Sequence, residues 1–300
     1  MSKSLSVVVA SAAGGEFLFR CLASLEKEKA AGESAEIVVV DRVGPATVER
    51  VRREFPTVRL IETAGSGRRE SVPELRKRGV LAANGDVVAI LEEHCTAPTG
   101  WLKTAKNGLE PGVAAVGGPI LDDDYARLRD WCVYFSEYNN YLPPWPEGER
   151  FVLNGANIAY DRRTLLAEAE RLDKGYWEVV LHPELAKRGR FKALPGMGAK
   201  HTGPFDFGYY LGQRYLLSRV WGGTQRSRVS IAKRIVYLVI APILPFALFL
   251  RTALRVLKSG RRIGKFAASA PLLIIALFVY VWGEWLGYLL GPGDALERVE

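Results

Sequence analysis

Cysteine is scarce in this chain of 300 residues, which has only Cys21, Cys95 and Cys132. The three are far apart, form no CxxC pair and are odd in number, so neither a disulfide framework nor a cysteine zinc site is indicated. A reducing compartment fits this pattern best. Composition also excludes wholesale disorder, because 48% of the residues are hydrophobic and 25% are charged. The length suits one large domain with an appendage.

Two common phosphate-binding motifs are missing. No GxGxxG follows the first apolar run, and no Walker lysine motif occurs. A dinucleotide-binding fold and a P-loop enzyme are therefore disfavoured. Internal repeats and low-complexity tracts are missing as well, which excludes a solenoid or a repeat array.

Acidic residues are absent between Phe207 and Gly283, where the chain has twelve Lys and Arg. The formal charge of +8 comes from this stretch, since 29 basic and 33 acidic residues remain elsewhere. The cations flank two long apolar segments, an arrangement typical of juxtamembrane segments that face anionic lipid. A nucleic-acid partner is therefore disfavoured.

Val-rich apolar runs alternate with helical patterns in the first part of the chain. The runs predict buried strands, and the stretches between them have apolar residues at helical spacing. The predicted strands are Leu5–Ala10, Glu36–Val40, Val58–Ile61 and Asp86–Leu91, and the predicted helices are Phe17–Lys29, Thr47–Phe55 and Val72–Asn84. The alternation predicts an α/β fold with a mostly parallel sheet flanked by helices. The first run also resembles a short signal peptide, but its recurrence along the chain favours a strand.

Ligands bind to such sheets at the carboxyl ends of the strands. Polar residues follow three of the predicted strands at this edge, namely Ser11 after Ala10, Asp41 with Arg42, and the run Glu92 to His94. These residues are therefore the first candidates for a binding site.

Two apolar segments near the C-terminus predict a helical membrane module. Ile235–Leu250 has sixteen uncharged residues, is short for a crossing helix and contains Pro242 and Pro245. Phe266–Gly283 is uncharged for eighteen residues. Our preferred hypothesis, based on the positive-inside rule, is a re-entrant first segment and one crossing by the second. It keeps the cationic stretches cytoplasmic and puts the acidic tail Asp294–Glu300 outside.

Residues 5–201 resemble glycosyltransferase family 2, whose members are inverting enzymes of the GT-A fold. The opening SVVVAS is followed by CLASL and by EIVVVD, which ends at Asp41. In the family, this aspartate and the end of the first strand hold the base and ribose of the donor. The resemblance therefore implies donor binding by Ala10, Ser11 and Asp41. The acid that usually follows is replaced by Arg42, and a turn-capping role for Asp41 is the alternative.

The segment RKRGVLAANGDVVAILEEHCTAPTGWL resembles the family segment that contains the acidic metal motif. The three motif positions fall on Glu92, Glu93 and His94. A divalent ion that bridges the donor diphosphate needs oxygen ligands, and Mn²⁺ also accepts imidazole. The resemblance implies a Mn²⁺ or Mg²⁺ site with Glu92, His94 and His201 as ligands, Glu93 as an alternative ligand, and Glu92 also at the donor. Asp122–Asp124 is a rival acidic cluster, but its position after GGPI favours a solvated loop.

Two downstream segments supply the remaining candidates. NGANIAYDRRTL resembles the family's Gly-Ala-Asn segment, whose small residues let the backbone approach the donor sugar, and this implies donor binding by Gly155 and Asn157. GYWEVVLHPELAKRG occupies the place of the catalytic segment and puts the catalytic carboxylate on Glu178. An inverting transfer needs such a base to take the acceptor proton. His182 follows one helical turn later, where it could orient that carboxylate or face solvent, and we expect it to face solvent.

The glutamine and tryptophan signature of processive polysaccharide synthases is absent, which favours transfer of a single sugar. The prediction is therefore a GT-A-like domain over residues 1–205, followed by basic juxtamembrane and transmembrane or re-entrant helices over residues 206–300. Such a protein would move a sugar from a nucleotide-sugar to a hydroxyl of a lipid-linked or cell-surface glycan acceptor, at the cytoplasmic face of the cell membrane. The alternative is a non-catalytic membrane-anchored module that binds a nucleotide-sugar or lipid.

Overall fold

The computed structural model describes residues 3–65 and 67–299, so Glu300 of the predicted acidic tail lies outside the described residues. The chain divides into two units. The first unit is Met1–Asp123 with Pro144–Thr202, and the second is Asp124–Pro143 with Gly203–Glu300. The division after Thr202 lies close to the predicted boundary at residue 205. Residues 124–143 belong to the second unit, although they fall within the predicted first domain, residues 1–205.

The described part of the first unit contains eleven strands and seven α-helices. The strands are β1 Leu5–Ser11, β2 Glu36–Asp41, β3 Arg59–Glu62, β4 Val87–Leu91, β5 Cys95–Thr96, β6 Val113–Gly117, β7 Ile120–Leu121, β8 Gly148–Arg150, β9 Asn157–Asp161, β10 Arg190–Ala193 and β11 Ala199–His201. Numbered along the whole chain, the helices are α1 Gly15–Ala30, α2 Pro45–Glu54, α3 Val72–Ala82, α4 Trp101–Asn107, α6 Arg162–Leu166, α7 Trp177–Val180 and α8 His182–Leu185. Every predicted strand and helix forms, with its ends shifted by at most two residues.

Eight strands form the central sheet in the order β3-β2-β1-β4-β9-β6-β10-β8. Six of them run in one direction, because only β9 and β8 pair antiparallel with their neighbours. The prediction of a mostly parallel sheet is thus confirmed. A second sheet has the order β5-β11-β7. It joins β5, which follows the carboxyl end of β4, to a strand from the end of this unit.

Helix α3 has a well-defined start and packs closely on the sheet near its other end. The side chain of Glu74 accepts a hydrogen bond from the Ser71 amide at 2.8 Å, which completes a capping box at the first turn. Near the other end, a Cβ atom on Gly79 would lie 2.3 Å from Cγ1 of Val8 in β1. Only glycine permits this approach. The helix is therefore held at a fixed depth against β1.

The described part of the second unit contains six α-helices. They are α5 Leu128–Tyr138, α9 Phe207–Arg226, α10 Ile231–Ile240, α11 Leu244–Ser259, α12 Ile263–Leu290 and α13 Ala295–Arg298. Helices α9 and α12 pack side by side through glycine. A Cβ atom on Gly222 would lie 2.3 Å from the Glu284 carbonyl oxygen, and one on Gly287 would lie 2.4 Å from the Arg219 carbonyl oxygen. Such small-residue contacts are common between helices in membranes.

Two helical runs, Ile231–Ser259 and Ile263–Leu290, are long and apolar enough to cross a membrane. The first run does not turn back on itself as the re-entrant hypothesis requires. Trp285, near the end of α12, donates a hydrogen bond to the Leu238 carbonyl in α10, and Phe266, near the start of α12, stacks on Phe249 in α11. The run therefore lies antiparallel to α12 along its length, and the re-entrant prediction is wrong for this structure.

The two prolines of the first run explain the difference. Pro242 lies in a single 3-10 turn, Ala241–Ile243, and Pro245 lies in the first turn of α11. At a helix start the missing proline N–H costs little, because that donor has no partner within the helix. The prolines therefore separate two helices without reversing the path of the chain.

Candidate active site

The carboxyl ends of β1 and β2 lie side by side, with Ser11 opposite Asp41. The Ser11 hydroxyl donates to Asp41 Oδ1 at 2.6 Å, and the Gly44 amide donates to Asp41 Oδ2 at 2.9 Å. Burial raises the pKa of Asp41, although these donors favour the charged form. Asp41 therefore caps the turn after β2. Any contact with a nucleotide-sugar donor would use the second lone pair of the Asp41 carboxylate oxygens.

Glu93 holds the loop that follows β1. Its carboxylate accepts hydrogen bonds from the backbone amides of Ala12, Ala13 and Gly14 at 2.9, 2.7 and 2.9 Å. The side chain is almost fully buried, and burial raises its pKa against these donors. Both oxygens are thus engaged within the protein. We therefore interpret Glu93 as the residue that holds this loop, and its alternative role as a metal ligand stays a prediction.

Glu92 and His94 lie together beyond the end of β4, with Oε1 of Glu92 3.7 Å from Nδ1 of His94. His201 lies in the neighbouring strand β11, opposite Cys95, and the Thr202 amide donates to the His94 carbonyl at 2.8 Å. Burial opposes ionisation of Glu92, but the contact with His94 and the charges of His94, His201 and Arg76 outweigh it. They lower the pKa of Glu92 to about 2.

This donor set is compatible with a divalent cation. It offers one ionised carboxylate and two imidazoles, and Mn²⁺ accepts both kinds of ligand. The ring of His94 is held edge-on against Phe17, with centroids 4.5 Å apart. Within residues 3–65 and 67–299, no three His, Cys, Asp or Glu side chains are already arranged around a common centre. Ligands from the donor would have to complete the shell.

The rival acidic cluster is engaged in ion pairs. Asp123 contacts Arg20 at 2.9 Å and Lys200 at 3.1 Å, all within the first unit. These pairs neutralise its charge at the surface. The structure thus agrees with the expectation that this cluster is a surface loop.

Glu178 lies against the backbone of Gly155, so two of the segments that supplied candidate residues meet here. The Gly155 amide donates to Glu178 Oε1 at 2.8 Å. A Cβ atom at position 155 would lie 2.5 Å from that oxygen and 3.2 Å from Nη1 of Arg76, so all three groups meet at one point. The Arg76 guanidinium also lies over the ring of Trp177, 5.8 Å from its centroid. The carboxylate is therefore oriented by a backbone donor beside a fixed cation.

Asn157 belongs to the interior of the site. Its Oδ1 accepts from Trp101 Nε1 at 2.9 Å, and its Nδ2 donates to the Met197 carbonyl at 2.6 Å. The residue is fully buried at the start of β9. Its side chain is thus used to join three segments. We interpret Asn157 as a residue that positions the Gly155 loop.

His182 is buried, which corrects the expectation that it faces solvent. Its Nε2 lies 2.8 Å from the Tyr160 hydroxyl, and its ring packs edge-on against Phe191. Burial lowers the pKa of His182 to about 4, so the ring is neutral at pH 7. The short helices α7 and α8 put this residue in the interior, against Tyr160 and Phe191, rather than on a surface face. The helical spacing alone contained no information on which elements cover α7 and α8.

Arg76 is the site residue that the sequence analysis missed. It lies in α3, in the segment that resembles the family's metal region, but basic residues at 76, 77 and 78 gave no reason to select one of them. Lys77 pairs with Asp173 at 2.8 Å, and Arg78 pairs with Glu70 at 2.6 Å. Only Arg76 of the three approaches Glu178. The positive charge of Arg76 also lowers the pKa of Glu92.

No model of a known protein family matches the chain. The chain is similar to the glucosyl-dolichyl phosphate glucuronosyltransferase of Haloferax volcanii, with 28% identity over 143 residues that cover 45% of each protein. It is 30% identical to polypeptide N-acetylgalactosaminyltransferase 10 of Mus musculus over 157 residues, which cover 43% of this chain and 25% of that protein. The chain thus spans about a quarter to a half of these relatives.

A solved structure resembles nearly the whole chain. It is the mannosyltransferase PcManGT of Pyrobaculum calidifontis in complex with GDP-Man and Mn²⁺, with a TM-score of 0.57, 17% identity, and coverage of 97% of this chain and 88% of that one. The sequence relatives and this structural neighbour are all glycosyltransferases. The chain therefore has a GT-A-type fold, and the predicted resemblance to glycosyltransferase family 2 is confirmed for the fold.

Proposed function

We propose that this protein is a membrane-associated glycosyltransferase that moves one sugar from a nucleotide-sugar to an acceptor hydroxyl with inversion. The observation that carries the proposal is the meeting of Glu178, the Gly155 amide and Arg76 beside Glu92, at the carboxyl edge of a GT-A-type sheet. A base, a cation and a candidate metal ligand are the groups that such a transfer needs.

In the proposed reaction Glu178 acts as the general base. It takes the proton of the acceptor hydroxyl while that oxygen forms a bond to the anomeric carbon of the donor. The bond from this carbon to the diphosphate breaks on the opposite face, and the nucleoside diphosphate leaves with the electron pair. The Gly155 amide holds Oε1 of Glu178, so the carboxylate keeps its orientation during the transfer.

The donor would bind along the ends of β1, β2 and β4. The backbone at Ala10 and the Ser11–Asp41 pair lie where the base and ribose would bind, and Arg76 can offer its guanidinium to the diphosphate. Glu92, His94 and His201 would hold Mn²⁺ or Mg²⁺, which when bound neutralises part of the diphosphate charge. The Mn²⁺ in the PcManGT complex with GDP-Man supports a metal of this kind.

The second unit would attach the enzyme to the cell membrane through its two apolar helical runs, with the catalytic unit on the cytoplasmic side. A lipid-linked or cell-surface glycan acceptor is consistent with this attachment. The Haloferax relative, named as acting on glucosyl-dolichyl phosphate, supports a lipid-linked acceptor.

Thermal stabilisation by nucleotides tests the donor and metal sites without knowledge of the acceptor. We expect one nucleoside diphosphate to raise the unfolding temperature more with Mn²⁺ than without it. Glu92→Gln should remove the metal-dependent part, and Asp122→Asn in the rival acidic cluster should keep it. Equal behaviour of the two variants would contradict the metal assignment.

Glu178→Gln tests catalysis separately. This variant should keep nucleotide binding and lose sugar transfer, because the amide cannot take the acceptor proton. Transfer at the wild-type rate would exclude Glu178 as the base. The absence of any nucleotide effect on folded wild-type protein would favour the non-catalytic alternative.

A further inference from the structure

One stripe of α11 combines an apolar floor with three cations. Its residues line a groove of ≈ 370 Å³. They are Ala247, Leu250, Arg251, Leu254, Arg255 and Lys258. The spacing of three to four residues puts them on one side of the helix. Leu250 and Leu254 are 60% and 58% exposed, so the floor is open to whatever surrounds the helix.

The three cations of the stripe differ from the cations that follow it. Arg262 pairs with Asp124 at 3.1 Å and lies over the ring of Trp131, and Lys265 lies over the same ring. Arg251, Arg255 and Lys258 form no ion pair with any residue in the described part of the chain. The chain has no Asp or Glu between Phe207 and Gly283 that could form an ion pair with them from within this stretch. No ion pair in the described part of the chain therefore balances these three charges, although Arg251 also acts electrostatically on Glu284.

Arg255 is also held in place. Its Nη1 donates a hydrogen bond to the Asn139 side-chain oxygen in α5. A guanidinium that is already oriented loses less conformational freedom when it binds an anion. The stripe thus has one oriented donor with an exposed cation on each side along the helix.

We propose that this stripe binds an anionic phospholipid of the membrane, with the phosphate between the three cations and one acyl chain along Ala247, Leu250 and Leu254. A phosphodiester fits the charge, and an acyl chain fits the exposed leucines between long basic side chains. A soluble anion would leave the apolar floor unused. The inference rests on the membrane attachment in the proposed function, and it adds a defined lipid site to it.

The test uses the full chain in a neutral detergent and measures its unfolding temperature with short-chain lipids. Dioctanoylphosphatidylglycerol should stabilise the protein, while dioctanoylphosphatidylcholine and inorganic phosphate should not. Combined Arg251→Gln, Arg255→Gln and Lys258→Gln should weaken the apparent affinity about 100-fold, because each cation near an anionic lipid contributes about a factor of five. The matched control is Arg226→Gln, Lys233→Gln and Arg234→Gln, which removes equal charge from the same unit and should keep the effect.

Four results would overturn the lipid site. They are equal losses in the two triple variants, an equal shift with phosphatidylcholine, a full shift with inorganic phosphate, and stabilisation by farnesyl phosphate in place of phosphatidylglycerol. The last would identify an isoprenoid acceptor rather than a bilayer lipid. If the triple variant does not fold, the single exposed change Lys258→Glu should still weaken the phosphatidylglycerol effect. Membrane attachment is tested separately, since release of wild-type protein from membranes by alkaline carbonate would refute the proposed function instead.

Discussion

A methyl group added at Gly155 should disable the active site while leaving the fold intact. In Gly155→Ala the new Cβ would lie 2.5 Å from Glu178 Oε1, whereas ordinary contacts begin near 3.4 Å. The carboxylate must therefore move by nearly 1 Å. A displacement of that size at a reacting group costs on the order of 100-fold in rate. Gly155 is not among the glycines with positive φ, so the backbone accepts alanine, and stability should change by at most about 1 kcal/mol.

The assay is sugar transfer measured in two backgrounds. In the wild-type background Gly155→Ala should lower kcat about 100-fold, with nucleotide-induced thermal stabilisation retained. In the Glu178→Gln background the same change should lower the residual transfer rate little further, because the group that it displaces no longer acts as a base. The reasoning is refuted if Gly155→Ala costs the same factor in both backgrounds. It is also refuted if kcat stays unchanged.

Three further predictions concern residues that the structure brings to the site. Arg76→Gln should weaken nucleoside diphosphate binding about tenfold, as a lost charge-assisted contact would, while Lys77→Gln should not; calorimetry would decide, and equal losses would argue against a diphosphate contact. Glu93→Gln should lower the free energy of unfolding by about 2 kcal/mol, because one loop amide loses its acceptor, and an unchanged unfolding temperature would contradict this role. His182 is neutral when folded and its pKa is lowered to about 4, so the unfolded chain takes up an extra proton as pH falls from 6.5 to 4. The free energy of unfolding of the wild type should therefore fall by up to about 3 kcal/mol relative to that of His182→Gln across that window. Parallel stability curves would refute the assignment.

The central sheet could be predicted from local patterns. Runs such as residues 7–10 and Val87–Leu91 are apolar at every position because both faces of the sheet are covered, and the stretches between the runs have helical spacing. The ends of these strands also identify Ser11, Asp41 and Glu92 as edge residues. Pairing of β1 with β2 then brings Ser11 and Asp41 within hydrogen-bonding distance.

The path of the two apolar helical runs could not be predicted in this way. Composition identified the apolar run and its prolines, but a break at Pro242 is equally compatible with a turn back and with a continued path. The packing of Phe249 on Phe266 decides between them. The assignment of residues 124–143 to the second unit depends likewise on contacts of α5 with α12, such as Phe135 with Phe266.

By itself, the sequence determined which segments are buried strands, which are helices, and which polar residues follow the strand ends. Periodicity contains that information, since it reflects the face that each segment buries. Only the tertiary structure decided that Arg76 meets Glu178, that Glu93 holds a loop and that His182 is covered. These outcomes depend on contacts between residues far apart in the chain. Local periodicity describes a buried face but does not specify the element that covers it.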